Sequence, residues 1–115
     1  MIKIENVSKA FREKIVLSKI SFTANEGEVT ALIGPNGSGK STLLKILLGL
    51  ISTDEGRATF DGKNYGELGK YPFRYVGTFL DSFQPNPTRT AYNHLRWIAL
   101  TSGISKQRCL ECLKI

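Results

Sequence analysis

Apolar and polar positions alternate along the first segment of the chain. Ile2, Ile4 and, less regularly, Val7 share one side, as in a half-buried strand. Residues 17–24 alternate again, with Ile20, Phe22 and Ala24 on one side. Asn25-Glu26-Gly27-Glu28 then forms a turn, and residues 29–33 are a short, nearly continuous apolar run. Such a run predicts a strand covered on both faces, as in the interior of a parallel sheet. The period changes after a glycine-rich loop: Leu43, Leu44, Leu47 and Leu48 recur at three and four residues, which predicts a helix over 40–50 stopped near Gly49. Asp54-Glu55-Gly56 and Asp61-Gly62 are turn signals around a short strand over 57–60. A further strand is predicted over about 73–80, and Gln84-Pro85-Asn86-Pro87 is a rigid loop. Thr90 caps a helix over 91–102 that Gly103 stops, with Tyr92, Leu95, Trp97 and Ile98 on its buried side. A last helix starts near Ser105 and is predicted to be still running at the final residue.

Composition narrows the class. Of 115 residues, 41% are hydrophobic and 23% charged, with 11 Gly and 4 Pro, which excludes a disordered, collagen-like or low-complexity chain. The length suits one small domain. The longest apolar run, 43–51, is interrupted by Lys45 and Gly49 and falls short of the roughly 20 residues that span a bilayer. Met1-Ile2-Lys3-Ile4-Glu5 lacks the hydrophobic core of a signal peptide, so a soluble, cytosolic domain is expected.

The net charge of +6 is uneven: residues 82–115 carry Arg89, Arg96, Lys106, Arg108 and Lys114 against one acid, Glu111. These bases are spaced out by apolar residues, the pattern of a solvated helix face, and no nucleic-acid partner is expected. Cys109 and Cys112 form a lone CxxC far from His94, the one histidine, and read as small packing residues of a helix.

The chemistry lies in Gly34-x-x-x-x-Gly39-Lys40-Ser41. Chance places these residue types at this spacing in roughly 0.4% of chains this long, before the flanking strand and helix are required. Phosphate oxygens need converging donors, and glycines at 34, 37 and 39 let the backbone N–H groups curl into a nest. The loop feeds a helix N-terminus, which favours an anion. Lys40 offers an ammonium to the β- and γ-phosphates, Ser41 a hydroxyl oxygen to Mg²⁺, and Thr42 a donor to a more distal phosphate. The pattern implies a nucleoside triphosphate without saying what is done with it.

From Ser8-Lys9-Ala10-Phe11 through Glu26-Gly27-Glu28-Val29 to Gly34-Pro35-Asn36-Gly37-Ser38-Gly39-Lys40-Ser41-Thr42-Leu43-Leu44, the chain resembles the ATP-binding subunits of ABC transporters. Gly49-Leu50-Ile51-Ser52, Gly56 and Asp61-Gly62 extend the likeness over essentially the whole chain, but over only the first half of that family's domain. The resemblance implies an α/β fold: a P-loop NTPase, here a truncated ABC-type ATPase core with N-terminal antiparallel β elements and the start of the helical subdomain. Residues 1 to about 85 would form the core with the phosphate loop, and about 86–115 the start of the subdomain, with the C-terminal half absent.

The same resemblance assigns roles. Phe11 matches the aromatic, just after the first strand, that stacks on adenine; an ordinary core aromatic is the alternative. Gly34, Pro35, Asn36, Gly37, Ser38, Gly39, Lys40, Ser41 and Thr42 match the phosphate loop, with Lys40 catalytic, Ser41 on Mg²⁺, and ATP and Mg²⁺ as the implied ligands. The family's glutamine, which touches the metal or attacking water, falls by register on Asp81; Gln84, three residues later, is the alternative. A carboxylate can ligate Mg²⁺, yet it lacks the amide's donor and adds charge near the phosphates. An acid here, with Pro87-Thr88-Arg89-Thr90-Ala91-Tyr92, resembles the drug- and antibiotic-export branch. His94 does not correspond to the family's late switch histidine.

The signature segment, the apolar strand ending in Asp-Glu and the late histidine of the family do not occur in these residues. The expectation is therefore the N-terminal piece of an export ATPase subunit that binds ATP without turnover by itself. Its partners would be a membrane-spanning transporter subunit and a second ATP-binding subunit, and its place the cytoplasmic face of the cell membrane. A stand-alone, non-hydrolytic nucleotide-binding module and another small P-loop enzyme, such as a kinase, are the alternatives.

Overall fold

Strand β1 (Ile2–Phe11) pairs antiparallel with β2 (Lys14–Ala24) on one edge and with β3 (Glu55–Phe60) on the other, so the sheet order is β2-β1-β3. The computed structural model describes residues 1–69, 76–80, 84 and 86–114. The chain divides into two compact units, Met1–Lys70 and Tyr71–Ile115.

Alternation predicts both strands of the hairpin but not their irregularity. Ile4 and Val7 stand three apart, as do Leu17 and Ile20, and a strict pleat would send one of each pair to the opposite face. Bulges resolve the conflict. Asn6 and Lys19 adopt φ of 49° and 47°, and the register slips on both sides of Val7. Val7 is then fully buried beside Ile4 and Leu17. Side chains replace ladder bonds at the bulges: Ser21 Oγ accepts from the Asn6 N–H at 2.8 Å, and Ser8 Oγ from the Lys19 N–H at 3.0 Å. The bulge also explains Gly56 in β3, at φ 75°, because a Cβ there would stand 2.2 Å from Glu5 O.

Helix α1 (Lys40–Leu47) closes this core by packing Leu43 and Ile46 against Ile4, Val7, Leu17 and Ala58. It ends earlier than the 40–50 periodicity predicts. Gly49, at φ 66°, turns the chain; its N–H donates to Ile46 O and the Leu50 N–H to Lys45 O, both at 2.9 Å. Leu44, expected on the apolar stripe, is exposed, and Ile46 takes its place in the core. Replacing Ile4 by alanine should cost about 2–4 kcal/mol, measured as a fall in the urea midpoint at constant m.

The largest departure is the run 29–33. It forms no strand, and Val29 and Ile33 project into solvent rather than being covered on both faces. A strand requires a hydrogen-bonding neighbour, and among the described residues none lies alongside. The strand expected over 73–80 fails for the same reason where it can be seen: 76–80 carries no strand and Phe79 is exposed. Residues 73–75 lie outside the described residues.

Three ion pairs, two of them sharing Glu5, brace the sheet. Lys3 at 2.8 Å and Arg57 at 2.7 Å hold the Glu5 carboxyl below its ordinary 4.5. Lys9 at 2.5 Å, then the Ala10 N–H, hold Asp54 below 3.8. A depressed carboxylate contributes stability above its unfolded pKa and loses it as pH falls through its folded one. Lowering the pH from about 5 to about 2 should therefore destabilise the unit, and Glu5→Gln with Asp54→Asn should flatten that loss in thermal melts.

The second unit holds α2 (Ala91–Thr101) and α3 (Lys106–Cys112). Thr90 caps α2 as expected, its Oγ accepting from the Asn93 N–H at 3.2 Å, and Ser105 caps α3 by accepting from the Arg108 N–H at 3.3 Å. The buried stripe of α2 runs through Tyr92, Leu95, Ala99 and Ser102. That spacing turns Trp97 and Ile98 outward, correcting their expected burial; Trp97 is 55% exposed, with the Arg89 guanidinium 5.7 Å above its ring. Helix α3 also ends before the last residue, as the Lys114 N–H closes a tight turn onto Glu111 O at 3.1 Å. Cys109 is buried, its thiol directed at Ser105 O (3.6 Å) and Leu95 O (3.9 Å), whereas Cys112 is exposed.

Candidate functional site

The loop 34–39 runs from the exposed 29–33 segment into α1, and it comes close to β2 at Gly39. At Gly39, φ is 94°, and a Cβ would lie 2.7 Å from Leu17 Cδ2 and 2.8 Å from Val16 O. Close approach to β2 and a left-handed backbone both demand glycine there. Gly37 is also left-handed, at 81°. Gly34 is not: its missing Cβ instead makes room for Ser38 Oγ, 2.8 Å from where a Cβ would sit.

Gly39 is the N-cap of α1 and accepts from the Leu43 N–H at 2.9 Å. The N–H groups of the preceding residues in that turn have no acceptor within the helix, and no acidic side chain stands in the first turn. At the centre of the loop sits the Lys40 ammonium. It donates to Gly34 O and Pro35 O, both at 2.7 Å, and to Ser38 Oγ at 3.4 Å. The loop is braced by the Ser38 N–H, which donates to Pro35 O at 3.2 Å. Ser41 is exposed and Thr42 half-buried beside it. Helix-start N–H groups, a mobile ammonium and two hydroxyls suit a polyphosphate, and the hard Ser41 oxygen suits Mg²⁺.

Phe11 is the last residue of β1 rather than following it, immediately before the Arg12-Glu13 hairpin turn. It is 47% exposed, so it is not a buried core aromatic, and the Lys9 ammonium stands 5.6 Å from its ring centroid. The hairpin leads into β2, whose Val16 and Leu17 seat Gly39. Phe11 and the phosphate loop thus belong to one unit and share one strand as support. Asp81 lies outside the described residues, and Gln84 is exposed.

An apolar cleft of about 370 Å³ opens between the sheet and α1, lined by residues such as Ile4, Phe22, Leu32, Leu43 and Leu47. None of residues 34–42 lines it, so this cleft and the phosphate chemistry are separate features. Sequence patterning overlooked the Lys9–Asp54 pair beside Phe11, because Asp54 read only as a turn residue. No local signal links two residues 45 apart in the chain.

Comparison with known proteins agrees with this geometry. The lantibiotic transport ATP-binding protein SrtF of Streptococcus pyogenes is 33% identical over 113 residues, 98% of this chain and 48% of that protein. The linearmycin resistance ATP-binding protein LnrL of Bacillus subtilis is 34% identical over 99% of this chain and 38% of its own length. Among solved structures, a dimeric bacterial ABC transporter cassette aligns with a TM-score of 0.78 at 31% identity, over 99% of this chain and 56% of the cassette. The chain thus spans about half the length of these relatives. The family model for the ABC transporter matches residues 17–114, and the chain belongs to that family, with the P-loop fold of its ATPase cassettes.

Proposed function

We propose that the 34–42 loop binds the triphosphate of ATP together with Mg²⁺. In this proposal the chain is the N-terminal part of an ABC transporter subunit that powers export of an antibiotic-like or lipid-like substrate. The observation that carries the proposal is the Lys40 ammonium, held at 2.7 Å by two loop carbonyls directly before a helix N-terminus. On binding, that ammonium exchanges neutral carbonyls for β- and γ-phosphate oxygens, and the helix-start N–H groups take the remaining oxygens. Phe11 stacks on adenine. Ser41 would hold Mg²⁺, which supplies neutralisation of phosphate charge, and Asp81 is the second candidate ligand. The names of SrtF and LnrL, lantibiotic transport and linearmycin resistance, support export.

The partners in this proposal are a membrane-spanning subunit at the cytoplasmic face and a second ATP-binding subunit, as in the dimeric cassette. Among the described residues no helix is long and apolar enough to cross a membrane, which suits a peripheral subunit. The 115-residue chain should bind ATP without turning it over, because its sequence contains neither the signature segment nor the Asp-Glu strand. Phosphate-release assays check this: the expected rate is the buffer background, and robust release that Lys40→Ala abolishes would overturn it. Transfer of the γ-phosphate to an added acceptor would point instead to a kinase.

A further inference from the structure

Asp54 sits just before β3, yet its carboxylate reaches across to the end of β1. Oδ1 pairs with the Lys9 ammonium at 2.5 Å, and Oδ2 accepts from the Ala10 N–H at 2.7 Å. The Asp54 N–H and the Thr53 hydroxyl both donate to Ser8 O at 3.0 Å, so the two strands are tied at three successive residues, Ser8, Lys9 and Ala10. These are the residues immediately before Phe11. The Lys9 side chain is only 13% exposed, and its ammonium lies between the Asp54 carboxylate and the Phe11 ring, 5.6 Å from the ring centroid. Without the Asp54 carboxylate, neither the ammonium nor the Ala10 N–H keeps its anionic partner, and the end of β1 is held on this side only through Ser8 O.

We propose that Asp54 is a positioning residue for the base-binding aromatic: by clamping Lys9 and Ala10 it fixes Phe11, and so sets the part of nucleotide affinity that depends on the adenine rather than on the phosphates. The inference rests on the ATP-binding proposal above. Aromatic stacking is geometrically exacting, whereas a polyphosphate seated on backbone N–H groups and Lys40 does not depend on the hairpin tip.

The experiment titrates the full chain by calorimetry with two probes, MgATP and inorganic tripolyphosphate with Mg²⁺. Asp54→Ala should weaken MgATP about five- to tenfold and leave tripolyphosphate within about twofold. Asp54→Asn, which keeps an acceptor for the Ala10 N–H but loses the charge facing Lys9, should lie between it and the wild type. Phe11→Ala should remove the same base-dependent increment, and adding Asp54→Ala to it should cost nothing further, the signature of one residue acting through the other. The proposal is overturned if Asp54→Ala binds MgATP like the wild type, if both probes weaken equally, or if the two substitutions add. A wild-type chain that binds MgATP no better than tripolyphosphate would overturn both this proposal and adenine stacking by Phe11. Loss of only the Asp54 effect would leave that stacking standing.

Discussion

Replacing Gly39 by alanine is expected to destabilise the Met1–Lys70 unit by about 3 kcal/mol and to abolish ATP binding. Two costs combine. A non-glycine residue at φ 94° is strained by about 1–3 kcal/mol. Its Cβ would also stand 2.8 Å from Val16 O, a backbone atom inside a strand that cannot rotate away. Relief requires the loop to lift off β2, which moves Lys40 and the start of α1 with it. Gly27→Ala is the control: φ is 77°, but nothing lies within 4 Å of a Cβ there. It should pay the backbone term alone, about 1 kcal/mol, and leave ATP binding unchanged. Urea unfolding and calorimetric titration of both variants decide the matter. Equal losses at the two glycines would show that the seat on β2 has no special part in the site.

Lys40→Ala should reverse that pattern, with a large effect on ligand and a small one on fold. Its ammonium is partly exposed and bonds only loop carbonyls and a hydroxyl, groups that water can satisfy when the side chain is gone. The stability change should stay below about 1.5 kcal/mol. Against the triphosphate the same ammonium makes charge-assisted bonds worth about 1.5–3 kcal/mol, so MgATP affinity should fall about 10- to 100-fold. An unchanged affinity would remove the lysine from the site; a collapse of stability would make it structural.

Legibility in the sequence followed the range of the interactions. The glycine-rich loop, the start of its helix, the Thr90 cap and the Asp61-Gly62 turn are local, set by residues within a few positions of one another, and each could be read directly. The bulges at Asn6 and Lys19 left a trace, the three-residue spacing of Ile4 to Val7 and of Leu17 to Ile20, but their form depends on pairing between strands. The run 29–33 misled because apolar content signals a buried strand only when a neighbour is at hand. Trp97 misled for a related reason: a large aromatic reads as core, while the small Ala99 and Ser102 occupy the buried stripe. The tie from Asp54 to Lys9 spans 45 residues and had no local trace.

The most direct test of the central claim is an amide NMR titration of the chain with MgATP. The expected result is saturable, one-site shifts concentrated on the N–H groups of residues 34–42 and around Phe11, absent in Lys40→Ala. Shifts confined to other residues, or a titration indifferent to the loss of the lysine, would contradict the assignment of this loop as the ATP-binding site.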